Sequence, residues 1–206
     1  MQPRLFYSVY FSFGDYIICL QHKDAEGVHG RLAIERPGQS TWSSESKERT
    51  SRWLQQSIAE DKSDTSTSTK FLPTRLLYIT LAEGGEYRVR LCQGANLSRD
   101  AQYFTLSHRW GDDMFRLLTH NFQELMHKSH FEVLPKSFQH AIMVTSDLGY
   151  KYLWIDALCI IQDSPEDWLK EGIQMALIYK NAMCNISATA SKDSHGGLFR
   201  SRDVET

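Results

Sequence analysis

Residues 150 to 168 constrain this chain more than any other stretch. They read Tyr150-Lys-Tyr-Leu-Trp-Ile-Asp-Ala-Leu-Cys-Ile-Ile-Gln-Asp-Ser-Pro-Glu-Asp-Trp168. The first part is a nearly continuous apolar run, closed by the turn-and-cap signal Asp163-Ser-Pro165. A run bounded in this way reads as a strand buried on both faces that feeds a helix. The strand is predicted over 151–156, with a continuation to 161 left open. Asp156 stands in the middle of the apolar run. Desolvating an ionised carboxylate is costly unless it is paired or hydrogen-bonded. Asp156 therefore either holds a local network together or belongs to a site, and it is expected to be largely buried and bonded to the turn at 107–113.

The flanking text extends the pattern. Residues 102–107 read as a strand that enters a turn carrying Ser107, His108, Arg109, Trp110, Gly111, Asp112 and Asp113. Residues 138–148 form an amphipathic helical pattern with Ala141, Ile142, Val144 and Thr145 inward, and Gly149 stands where a helix-ending glycine is expected. Ser164 suits an N-cap, Pro165 the first helical position, and Glu166 and Asp167 the positive helix end. Helical spacing then runs to about 181, and 183–190 reads as another strand. Upstream, 76–81 and 86–91 flank Glu83-Gly-Gly85 as a hairpin. Strand, helix, strand, helix, strand predicts an α/β domain: a parallel-centred sheet flanked by helices.

Three parts are expected along the chain. Residues 1–36 are a β-rich appendage with a turn near Glu26 and Gly27. Residues 37–70 are a polar, Ser/Thr-rich linker or loop. A short helix at 46–60 within it would carry Trp53, Leu54 and Ile58 on one side. Residues 71–206 form the α/β domain.

Composition excludes several classes. A net charge of -2 argues against a general nucleic-acid surface. No stretch approaches the roughly 18 uninterrupted apolar residues of a membrane span. Ser8, Ser12, Gly14 and Asp15 interrupt the aromatic N-terminus, which reads as an amphipathic strand pair rather than a signal peptide. Cys19, Cys92, Cys159 and Cys184 show no metal-type pairing and suit a reducing compartment, so a cytoplasmic location is expected. Cys159 and Cys184 lie in apolar runs, as core thiols do. His127 and His130 have a metal-compatible spacing without a third ligand nearby, and no metal site is predicted. A phosphate-cradling glycine loop and a Gly-x-Ser-x-Gly elbow are both absent. Ser107 and His108 are adjacent, so on a strand they face opposite sides and cannot pair.

In open parallel sheets, ligands bind beyond the carboxyl ends of the strands. Two strand ends here carry chemistry. The first delivers Ser107, His108, Arg109, Trp110, Asp112 and Asp113, and the second delivers Asp156. Such a set can hold a polar ligand. The structural alternative is that Asp112 caps the next helix, Trp110 packs on the sheet and Arg109 pairs with a carboxylate.

Three blocks in this order resemble the heterokaryon incompatibility (HET) domain of filamentous fungi. The first is Leu106-Ser-His-Arg-Trp-Gly111, where the family usually reads Leu-Ser-His/Tyr-Cys-Trp-Gly. The second runs from Leu148 to Asp163 and continues to Asp167 and Trp168. The third joins Met175, Ile178, Tyr179, Asn181 and Ala182 to Gly197-Leu-Phe-Arg200. Leu72-Pro-Thr-Arg-Leu76 and Val89-Arg-Leu91 match the usual lead-in. The resemblance implies a signalling module of fungal allorecognition and incompatibility-type programmed cell death. Its partners would be other HET or sensor-domain proteins, or further copies of itself. A truncated regulatory fragment is an alternative, since only six residues follow Arg200. The chain departs from its relatives at Ser57, Asp61 and Asp64, where many carry a Cys, His, Cys set.

Arg109 replaces the family's usual cysteine, which argues against a catalytic cysteine there. It also makes the first block similar to the first strand and loop of TIR domains, so the implied fold is TIR- or flavodoxin-like. Some TIR domains cleave NAD with a glutamate on a helix beyond a later strand. By that similarity Glu171 is the positional candidate for a catalytic carboxylate, with Glu166 behind it and Asp156 beside it. NAD would then be a substrate, stabilised at its developing oxocarbenium charge or held by its ribose hydroxyls. The competing reading of Glu171 is a solvated helix carboxylate.

Overall fold

The computed structural model describes residues 8–13, 16–21, 39–61 and 71–201. They fall into two compact units, one drawn from 1–61 and 199–206, the other from 62–198.

In the first unit, β1 (Ser8–Phe13) and β2 (Tyr16–Gln21) pair antiparallel, from Ser8 opposite Gln21 to Phe13 opposite Tyr16. The expected turn at Glu26 and Gly27 lies outside the described residues. Helix α1 (Ser44–Asp61) occupies much of the polar stretch. Ser40 and Ser201 form an isolated antiparallel bridge. The Thr41 hydroxyl accepts from Arg200 N at 2.9 Å, and Trp42 stacks on Phe199 with ring centroids 6.0 Å apart.

The second unit is a five-stranded mixed sheet in the order β4-β3-β6-β5-β7. Strands β3 (Arg75–Leu81) and β4 (Tyr87–Gln93) form the expected hairpin. Gly84 and Gly85 lie between them at φ 105° and 86°, backbone that side-chain-bearing residues rarely adopt. Strands β5 (Phe104–Ser107), β6 (Tyr152–Trp154) and β7 (Cys184–Ser187) are mutually parallel through β5, and β3 joins β6 antiparallel. The predicted parallel-centred α/β architecture is present. Its antiparallel edge is the hairpin.

Cross-strand register sets the core. Leu91, Leu77, Leu153 and Phe104 stand in one row across four strands, and all are buried. Residues in register share a face of the sheet. Between β5 and β6 come α2 (Phe122–His127) and α3 (Lys136–Asp147). Ala141, Ile142, Val144 and Thr145 of α3 are buried as the pattern predicted, and Gly149 follows at φ 86°. After β6 come a one-turn helix α4 (Asp156–Cys159) and α5 (Pro165–Asn181). The Ser164 side chain accepts from Asp167 N and caps α5.

Helices α3 and α5 lie on opposite faces. The Tyr103 hydroxyl donates to Ile178 O of α5 at 2.7 Å, and Trp154 meets Tyr179 edge-on. His108, which shares the alternation of Phe104 and Leu106, meets Phe138 of α3 edge-on at 4.8 Å. The connection from β5 steps to β6, and the next steps back across β5 to β7. With crossovers of one hand, a reversal of direction puts the second helix on the other face.

One expectation needs correction. The strand predicted over 151–156 is shorter: β6 ends at Trp154, and the stretch left open to 161 does not continue it, because Asp156 opens a helical turn. The Asp156 carboxylate accepts from Ala157 N at 2.7 Å, a local bond that competes with strand pairing. A fully apolar run carries no period to separate a buried strand from a buried helical turn. Similarly, β7 stops at Ser187, short of 190.

Candidate functional site

The chain leaves β5 at Ser107 and leaves β6 just before Asp156. Their connections run to opposite faces of the sheet, and in sheets of this kind the crevice between such connections, at the strands' carboxyl ends, is where ligands bind. Three side chains meet there. Trp110 Nε1 donates to Asp156 Oδ2 at 2.9 Å. His108 Nδ1 lies 3.7 Å from Asp156 Oδ1, with the His108 side chain 1% and the Asp156 side chain 19% exposed. The His108 and Trp110 rings lie nearly parallel, 6.4 Å apart. Asp156 is thus bonded to the 107–113 turn and largely buried, as expected.

Burial lowers the His108 pKa from its ordinary value, and the Asp156 charge and a backbone contact at Leu106 oppose that shift only in part. Neither imidazole nitrogen has a hydrogen-bond partner. The imidazole packs edge-on against Phe138 on one side and nearly parallel to Trp110 on the other.

Ser107 turns to the opposite face, as adjacency to His108 requires. Its hydroxyl and that of Thr105 both reach Asn185 Oδ1 on β7, at 3.2 and 3.1 Å. Arg109, Asp112 and Asp113 are exposed. The alternative roles for two of them are not filled. Residues after Asp113 form no helix until α2, so Asp112 caps none. Arg109 has no carboxylate partner among the described residues.

The rest of the second block holds the crevice walls. Gln162 Nε2 donates to Asp156 O and Ile160 O, at 2.9 and 3.0 Å. Asp163 Oδ1 accepts from both Thr119 N and Thr119 Oγ1, at 2.8 and 3.0 Å. Backbone bonds from Leu117 N to Ala157 O and from Gln162 N to Leu117 O fasten the 114–121 connection to α4.

Glu171 belongs to a second cluster. Arg75, at the start of β3, pairs with Asp167 and donates through Nε to Cys159 O at 2.7 Å. Asp167 also accepts from Ile161 N at 2.8 Å. Glu171 lies 3.7 Å from the same guanidinium, with 0% of its side chain exposed and neither oxygen hydrogen-bonded. The solvated-carboxylate reading of Glu171 therefore fails. Its charged neighbour is Arg75, not Arg109 or Asp156. Sequence reasoning missed Arg75. The available signal was an arginine opening the apolar strand Arg75-Leu-Leu-Tyr-Ile-Thr-Leu81.

Arg75 also lines a cavity of about 550 Å³ together with Gln93, Gly94, Arg99 and Phe122. Gly94 is required there, because an added Cβ would stand 2.0 Å from Pro73 O. Of the thiols, Cys92 is pushed up to about 11 by burial, and Cys159 is pushed higher still. Neither is an activated nucleophile. Among the described residues no His, Cys, Asp and Glu group could hold a metal, and no helix is long and apolar enough to cross a membrane.

A family model described as "Heterokaryon incompatibility protein (HET)" matches residues 103–206. Strands β3 and β4 and Arg75 lie upstream of the matched residues. No curated protein and no solved structure matches the chain.

Proposed function

The chain belongs to the heterokaryon incompatibility family, and from that premise we propose that it is a signalling module of fungal allorecognition. It acts in the cytoplasm by protein–protein association and triggers an incompatibility-type cell-death response. The observation that carries this reading is the state of the crevice. His108 and Asp156 are engaged with Trp110, Phe138 and the α4 turn. The groups left outside are Arg109, the Trp110 ring, Asp112 and Asp113. An exposed tryptophan beside charges of both signs suits recognition of another protein.

The test is expression of the chain in a filamentous fungus, scored for death. Asp112→Arg and Arg109→Glu should lower the response while leaving the melting temperature unchanged. A wild-type chain without any response in compatible and incompatible backgrounds alike would reject the reading.

A TIR-like NAD glycohydrolase is the second reading. The partly open Asp156 carboxylate at the crevice favours it over inert packing. Glu171 would have to become accessible, because its side chain has no exposed surface. Release of nicotinamide from NAD by the folded chain measures this directly.

A further inference from the structure

Helix α5 turns an apolar stripe to solvent. Leu169, Ile173 and Leu177 are 63%, 74% and 47% exposed, whereas Glu171 and Ile178 are its buried residues. At 100° per residue, Leu169 and Leu177 lie about 40° to either side of Ile173. Glu166 and Lys180 project within the same sector, about 20° from Ile173. Both are exposed, and neither has an ion-pair partner among the described residues.

The order of this stripe is the same read from either end. Leu169 and Leu177 are each four residues from Ile173, and Glu166 and Lys180 are each seven residues from it. Charge changes sign between the ends, acidic in the first turn and basic in the last. Lys170 and Ala176, three residues to either side, complete the pattern.

The geometry points to a second copy of this chain as the occupant of this face, docked α5 on α5, antiparallel, with the two-fold axis passing at Ile173. In that arrangement Ile173 meets its own symmetry mate, and Leu169 of each copy meets Leu177 of the other. Glu166 of each copy meets Lys180 of the other, and the Lys170 stem lies over the small Ala176. Self-complementarity of this kind is what an isologous two-fold interface requires. A parallel pairing would set Glu166 against Glu166 and Lys180 against Lys180. Antiparallel pairing also sets the acidic N-terminus of one helix beside the basic C-terminus of the other, in accord with both helix dipoles. Three large apolar side chains per copy make a small interface, so the dimer is weak and concentration-dependent. This deepens the association reading above and rests on it for its cellular meaning.

The experiment is light scattering or sedimentation of the full chain from low micromolar to submillimolar concentration. The mass should rise from one chain toward two. Ile173→Asp should remain monomeric with an unchanged melting temperature, since the residue is outside the core. Glu166→Lys and Lys180→Glu should each weaken self-association about tenfold, because both symmetry-related contacts turn repulsive. An equimolar mixture of these two variants should dimerise again, as should the double variant. A wild-type chain that stays monomeric throughout would overturn the proposal. So would charge variants that dimerise like wild type, or a mixture that stays monomeric. The cellular response is scored separately. Death triggered equally by wild type and Ile173→Asp would leave the signalling reading intact and remove this face from it.

Discussion

The carboxylate of Glu171 lies 3.7 Å from the guanidinium of Arg75, two side chains separated by almost a hundred positions in the chain. Arg75 also holds Asp167 and the carbonyl of Cys159. One cation therefore ties the first residue of β3 to α4 and to the start of α5. Removing one partner of a buried ion pair costs about 3–5 kcal/mol, because the remaining charge is left uncompensated. Arg75→Ala should lower the stability by about that amount in urea denaturation, with Arg75→Lys intermediate. A midpoint unchanged by Arg75→Ala would show that the cluster contributes nothing to the fold.

Asp156 accepts from Trp110 Nε1 and from Ala157 N. Asp156→Ala leaves both donors without this partner and should cost about 1–3 kcal/mol. Asp156→Asn keeps an oxygen acceptor and should cost less. Trp110 fluorescence should shift to longer wavelength in the alanine variant as the indole is released into solvent.

His108 gives the chain an acid-sensitive component. Its folded pKa lies below its unfolded value, since burial disfavours the imidazolium. Between the lowered folded value and about 6.5, the unfolded chain binds more protons at this site than the folded one. Stability from this group is thus complete above about pH 6.5 and falls as the pH drops below it, by at most about 1.4 kcal/mol per pH unit. His108→Phe should flatten the fall in melting temperature between pH 7 and 5. An unaltered pH profile would show that another group carries it.

Two glycines should respond in opposite directions to alanine. Gly197 has φ 75°, and an added Cβ would stand 2.8 Å from His140 Cε1. That ring is held in place by Leu198 N. The left-handed backbone alone costs a residue with a side chain about 1–2 kcal/mol, so Gly197→Ala should destabilise by at least that. Gly172 lies within α5, where an added Cβ meets only the Trp168 ring at an ordinary 3.8 Å. Gly172→Ala should stabilise by about 0.5–1 kcal/mol through helix propensity. Thermal melts of the two variants check both signs.

Local signals carried much of the fold. Ser164 and Pro165 open α5 as a cap and a first turn, because those bonds are made within four residues. Gly149 ends α3 for a similar reason. The hairpin from Arg75 to Gln93 follows from two β-rich runs around paired glycines. The order of strands and helices then left few arrangements other than a parallel-centred α/β sheet, since crossovers of one hand prune the rest. The meeting of Trp110 and Asp156 was also legible, from a polar residue set in an apolar run next to a sheet end.

Tertiary structure decided what no local pattern encodes. The run from Tyr150 to Ile161 is apolar throughout but for Lys151 and Asp156, so it has no period to say where strand gives way to helix. Only the pairing of Leu153 with both Leu77 and Phe104, and the Asp156 bond to Ala157 N, fix that boundary. The burial of Glu171 depends on a cation at Arg75, and no spacing within α5 reports it. Electrostatic partners distant in sequence are set by how the sheet brings strand ends together. For that reason the sequence marked Glu171 as a carboxylate of interest, while the fold alone chose its neighbour.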